Sequence, residues 1–154
     1  LVKMEYFKLI KKDETKLEDV LNHFNEEYEI AREEIKIKGK LNRCIAELPS
    51  LFEIRFSQLQ ELEAILAYFT NKLNGLRGSI YRQLQEHSKR QLTSTDIKQY
   101  VDSDDKVLAM QTIINEIALV RNKFISLSKG FETKNWQLSN LTKLQCAGLD
   151  DIQI

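Results

Sequence analysis

The stretch KVLAMQTIINEIALVRNKFISLSKGF, Lys106 to Phe131, places Met110, Ile113, Ile117, Val120, Phe124, Leu127 and Phe131 at alternating intervals of three and four residues. That interval keeps side chains on one face of an α-helix, so the stretch predicts a long amphipathic helix. Val107, Ile114 and Ile125 widen the apolar face beyond what one partner helix covers. Such a face needs several neighbours in its own chain, or copies of itself.

A second stripe has the same regularity. Phe52, Leu59, Leu62, Leu66, Phe69, Leu73, Leu76 and Ile80 predict a helix from about Ser50 to Gln91, entered through Pro49, which suits a first helical turn. A straight helix of that length would reach roughly 60 Å, so a break is expected, with Gly75 and Gly78 as the places for a kink or a close backbone approach. Upstream, Leu17, Val20, Leu21, Phe24, Tyr28 and Ala31 predict a helix over about Lys16 to Arg32. The opening residues, from Val2 to Ile10, are apolar without a clean period and suit a short strand or a docked arm. Ile35 and Ile37, alternating with Lys36 and Lys38, suggest a short extended segment before a brief helix from Lys40 to Glu47. Thr93 is a candidate cap for a short helix through Val101, and Asp102, Asp104 and Asp105 favour the start of the organising helix. Trp136, Leu138, Leu141 and Leu144 predict a further short helix beyond Gly130, followed by a mobile tail from Ala147 to Ile154. The expected class is all-α, with at most a short extended segment near residues 34–38. The expected division is a helical region over 1–92 carrying a basic face, and a helical oligomerisation region over 93–154.

Lysines and arginines number 23 and aspartates and glutamates 23, but the charge is sorted along the chain. Asp13 to Glu34 holds nine acidic residues against two basic ones, whereas Lys72 to Lys98 holds six basic against two acidic. Sorting of this kind suits a polyanionic partner or contact between subunits. Cys44 and Cys146 stand far apart with no Cys or His nearby, the pattern of reduced thiols in an intracellular, cytoplasmic protein. No apolar run reaches the length of a membrane span, and Leu1 to Lys12 is charged at both ends and short for a signal peptide. The chain opens on Leu1, and Met4 is the candidate natural start.

Catalytic chemistry requires a clustered nucleophile, base or metal site. His23 and His87 are isolated, the Asp102–Asp105 run lacks the glycine and distal glutamate of a calcium loop, and Gly75, Gly78 and Ser79 lack the spacing of a phosphate loop. Neither a metal nor a cofactor is expected, and the function expected is binding rather than catalysis. Lys72, Arg77, Arg82, Lys89 and Arg90 accompany Tyr81 along the second stripe, with Arg82 and Lys89 seven residues apart and so expected on one face. Cations for phosphates and an aromatic for stacking are the means by which single strands are bound.

Several segments, in this order, resemble the UvsY-type recombination mediators of T-even-like phages. They are Leu17-Glu18-Asp19-Val20-Leu21, Ile35 to Leu41, Leu76-Arg77-Gly78-Ser79-Ile80-Tyr81, Ser103 to Leu108, Ser128-Lys129-Gly130-Phe131 and Ala147-Gly148. The resemblance implies a small α-helical protein that forms a ring of six or seven subunits. It also implies binding of single-stranded DNA and loading of a strand-exchange recombinase in place of single-strand-binding protein. Leu76, Arg77, Ile80 and Tyr81 match the family's DNA-contacting segment, while Ser79 stands where a second basic residue is expected and Arg82 follows the tyrosine. In a ring, the stripe from Met110 to Phe131 would be the seam between subunits. The alternative is a helical assembly or adaptor protein with no nucleic-acid role.

Overall fold

The computed structural model describes residues 3–148, and all of its regular structure is helical. The helices are α1 (Glu5–Lys12), α2 (Leu17–Ile35), α3 (Leu41–His87), α4 (Ser94–Ser103) and α5 (Asp105–Cys146), with a 3-10 turn at Glu14–Lys16 between the first two. No strand occurs among the described residues. Most of the expected tail, Ala147 to Ile154, lies outside them.

Several local expectations are corrected. The opening segment is a helix, because Glu61 of α3 accepts the Phe7 amide at 2.9 Å and so satisfies a first-turn donor that no local side chain caps. Ile10 is then fully buried with Tyr6 and Phe7 half-buried beside it, a helical spacing that the surrounding apolar residues obscure. Ile35 closes α2 instead of opening a strand, and the chain turns at Lys36 and at Gly39, whose φ of +82 is left-handed. Pro49 sits inside α3 and not at its entry, so the 40–47 helix and the long helix are one. The proline frees the carbonyl of Ile45, an exposed residue, where water can satisfy it. Nor does the helix break at its glycines: a Cβ at Gly75 or Gly78 would meet nothing within 4 Å, so no backbone approaches there.

Gly130 does receive a close neighbour. A Cβ on it would lie 2.7 Å from Cδ1 of Ile35, so the missing side chain lets the end of α2 lie against α5. The helix passes through Gly130 without interruption, and no separate C-terminal helix follows.

The chain divides into two units, Leu1–Glu61 with Val120–Ile154, and Leu62–Leu119. The sequence-based boundary at 92/93 falls inside the second of these, in the linker between α3 and α4. In the first unit, Phe24 meets Phe124 edge-on at 5.9 Å and Phe52 meets Phe131 at 6.1 Å, with Ile10, Val20, Leu48, Leu127 and Leu138 buried around them. Arg55, 5% exposed, forks onto Glu34 through Nε (2.9 Å) and Nη2 (2.6 Å), and its Nη1 donates to Glu27. Burial opposes the charge of Arg55, but the two carboxylates outweigh it and raise its pKa above the ordinary guanidinium value. Lys134 of α5 is also buried and donates to the carbonyls of Glu34 and Lys36, serving the open carboxyl end of α2. In the second unit the core is Leu62, Ile65, Phe69 and Leu73 of α3, Ile97 and Val101 of α4, and Val107, Ile114 and Ile117 of α5.

The stripe from Met110 to Phe131 is largely spent on the chain itself. Ile117, Val120, Phe124, Leu127 and Phe131 are buried, and Met110 and Ile113 are half-buried. An acidic substitution at Ile117, 0% exposed, therefore strikes the fold of the subunit before any seam between subunits.

Candidate nucleic-acid interface

The second unit carries a groove of about 510 Å3 where α3 ends, the chain crosses residues 88–93 and α4 begins. Tyr81, Leu84, Leu92 and Ile97 supply its apolar surface; Gln85, Ser88, Gln91 and Ser94 supply polar atoms, and Lys89 and Arg90 supply charge. Two local devices hold the crossing segment. Ser88 Oγ donates to the carbonyl of Arg90 at 2.6 Å and accepts its amide at 3.3 Å, which closes a tight turn just beyond α3. Thr93 and Asp96 form a reciprocal capping box: Thr93 Oγ1 accepts the Asp96 amide, and the Asp96 carboxylate accepts the Thr93 amide and hydroxyl. Those bonds from Thr93 hold the Asp96 carboxyl below its ordinary pKa. The expected cap on α4 is thus present. Asp104 likewise caps α5, accepting the amides of Lys106 at 2.9 Å and Val107 at 3.4 Å.

Of the six residues expected at a nucleic-acid face, Tyr81, Lys89 and Arg90 line this groove. The other three do not. Arg77 lies one helical turn before Tyr81 on the same face, with Nη1 3.4 Å from Oδ1 of Asp102. Lys72 sits with its ammonium 5.3 Å from the ring centre of Tyr68, and nine residues of helix separate it from Tyr81, about 14 Å. Arg82 is exposed next to Tyr81 on α3. The seven-residue spacing does not put Lys89 on its face, because α3 ends at His87 and Lys89 belongs to the crossing segment.

Sequence reasoning missed Leu84, Gln85, Ser88, Gln91, Leu92, Ser94 and Ile97. Gln85 was legible in principle, since it follows Tyr81 by four residues on a helix. Leu84 was equally legible, three residues after Tyr81 on the same helix, and the others depend on how the 88–93 segment turns.

Two further hollows lie in the first unit. One, of about 250 Å3, lies at Leu48, Pro49, Phe52 and Phe131; the other, of about 330 Å3, is lined by Tyr6, Ile54, Lys3 and three glutamates, Glu5, Glu53 and Glu61. His23 stacks on Tyr6 with ring centres 4.4 Å apart. Among the described residues no group of three or more His, Cys, Asp and Glu is placed to hold a metal ion, and no helix is long and apolar enough to cross a membrane.

Fold and site together define an all-α protein of long helices with a cation-rimmed, aromatic-lined groove at a helix junction. No protein-family model matches the chain, nor does any curated protein or solved structure.

Proposed function

We propose that the chain binds single-stranded DNA without catalysing a reaction, and acts as a mediator that helps a strand-exchange recombinase displace single-strand-binding protein. The observation that carries the DNA-binding part is the common groove of Tyr81, Lys89 and Arg90, a stacking ring beside two cations. Arg77 on the same face and Arg82 beside it extend positive charge along α3. The recombinase-loading part rests on the resemblance to UvsY-type mediators, and so does assembly into a six- or seven-membered ring. Repeating this basic junction around a ring would multiply weak phosphate contacts by avidity, so a chain with equal numbers of acidic and basic residues can still hold a strand. Binding of a labelled oligothymidylate, followed by anisotropy, tests the DNA reading. Measurable affinity that weakens on replacing Lys89 and Arg90 together supports it, and no affinity at low salt sinks it.

One observation favours assembly without DNA as a second reading. Leu108 and Leu119 of α5 are 51% and 65% exposed, and eleven residues of helix put them on one side about 16 Å apart. With the Met110–Phe131 stripe largely covered, these are the apolar side chains that α5 offers to another subunit within the second unit. Light scattering with and without an oligonucleotide separates the two readings: assembly with no response to DNA favours the second.

A further inference from the structure

A strand can be held along a cationic helix face by its phosphates alone, with its bases turned to solvent. The α3–α4 junction has more than such a face needs. Its volume of about 510 Å3 falls within the range of roughly 300–1,000 Å3 common to small-molecule sites, whereas phosphate contacts call for no hollow. Polar and apolar side chains share its lining, and the apolar ones include a ring: Tyr81 and Leu84 from α3, Leu92 from the crossing segment, and Ile97 from α4. Gln85 and Gln91 border it, and each primary amide presents a donor and an acceptor together, the pairing found on the edge of a nucleobase. The cations stand on the crossing segment only, where the Ser88–Arg90 turn fixes the backbone that carries Arg90.

We infer that this junction is a single-base pocket: one nucleotide is turned out of the strand, its base lies against Tyr81 with its edge toward Gln85 and Gln91, and its phosphate meets Lys89 and Arg90. This deepens the DNA-binding proposal and rests on it. The lining supports the arrangement, since its four apolar side chains suit the base and its two cations suit the phosphate. Two hollows of the first unit fail the same requirement, because one carries Glu132 as its only charged residue and the other sets three glutamates against the single lysine Lys3. The role of the capping box is to hold the entry to α4, and with it Ser94 and Ile97, at a set place beside the ring. A pocket of this kind gives each subunit one base-dependent contact among several that depend on charge alone.

The test compares a short oligothymidylate with an abasic oligomer of the same length and charge, at one salt concentration, using the full chain. The pocket predicts that the abasic strand binds about fivefold more weakly or worse, the loss expected for one stacked base. It also predicts that 2-aminopurine placed within the strand changes its fluorescence on binding, that Tyr81→Phe keeps both effects, and that Tyr81→Ala and Gln85→Ala each diminish them. Equal affinity for the two strands, with both bound, overturns the pocket and leaves the DNA-binding proposal standing. Failure of both strands to bind overturns the two together. Because the strand comparison uses the unaltered protein, it holds even if Tyr81→Ala fails to fold.

Discussion

The guanidinium of Arg77 faces the carboxylate of Asp102 across α3 and α4, Nη1 to Oδ1 at 3.4 Å, while its Nε is buried with no hydrogen-bond partner. Arg77 is the one basic residue among the four that match the DNA-contacting segment in the resemblance, and it is only loosely engaged. Both side chains are more than a third exposed, so the pair is worth no more than about 1 kcal/mol. If DNA phosphate competes with Asp102 for Arg77, Asp102→Asn should tighten oligonucleotide binding by up to about fivefold and Arg77→Gln should weaken it. Anisotropy titrations read both. An Asp102→Asn protein with unchanged affinity would reduce Arg77 to a structural residue.

The Arg55 network makes a stability prediction with a pH signature. Arg55→Ala leaves Glu27 and Glu34 without their cation in a largely buried setting and should cost about 3–5 kcal/mol by urea unfolding. Glu27 is held below its ordinary pKa first by the Gln58 amide, which donates at 3.0 Å, and then by Arg55. A depressed folded pKa means that this stabilisation is complete above the ordinary value of 4.5 and is lost as pH falls through the lower, folded value. The stability gap between the wild type and Gln58→Leu should therefore be full at neutral pH and shrink below 4.5. A gap that instead shrinks on raising the pH would contradict this assignment.

The three helical glycines should respond differently to alanine. At Gly75 and Gly78 the added methyl meets open space, so each substitution should stabilise by about 0.5–1 kcal/mol through helix propensity. At Gly130 the methyl would press on Ile35, and that gain should be cancelled or reversed. Thermal unfolding of the three single variants distinguishes the sites.

Two neighbouring positions on α5 separate folding from assembly. Ile117→Asp puts a carboxylate at a site with no exposure and should cost more than about 4 kcal/mol, seen as loss of cooperative unfolding. Leu119→Asp, on a residue 65% exposed, should leave the melting of the subunit within about 0.5 kcal/mol of the wild type and lower the mass found by light scattering. A Leu119→Asp protein of unchanged mass would move the contact between subunits elsewhere.

The helical class and the stripes were legible because i, i+3, i+4 spacing reports burial on one face directly: Leu59, Leu62, Phe69 and Leu73 are buried as their period predicts. The caps at Thr93 and Asp104 were legible because they act over three residues. What failed were features fixed by partners distant in sequence. α1 depends on Glu61, fifty-four residues away from the Phe7 amide, and α5 continues past Gly130 against Ile35 of α2. Helix breakers misled in the same way, since Pro49 and the glycines carry a local cost that packing along α3 and α5 overcomes. For the site, the sequence put Arg82 and Lys89 on one face beside Tyr81 by a seven-residue spacing that does not apply beyond His87, whereas the groove is lined by Tyr81, Lys89 and Arg90 without Arg82. The turn at Ser88 brings the cations of the crossing segment to the groove.

The assignment of the groove to single-stranded DNA is tested most sharply by the salt dependence of oligothymidylate binding, measured for the wild type and for Lys89→Glu with Arg90→Glu. Both side chains are exposed beyond the end of α3, so the double variant should fold as the wild type does. If the cations of the groove meet phosphates, log K should fall linearly with log salt. The double variant should then lower the slope by about 1.4, at about 0.7 for each single-strand phosphate that is no longer neutralised. A flat plot, or a slope indifferent to the two substitutions, would contradict the binding of single-stranded DNA in this groove.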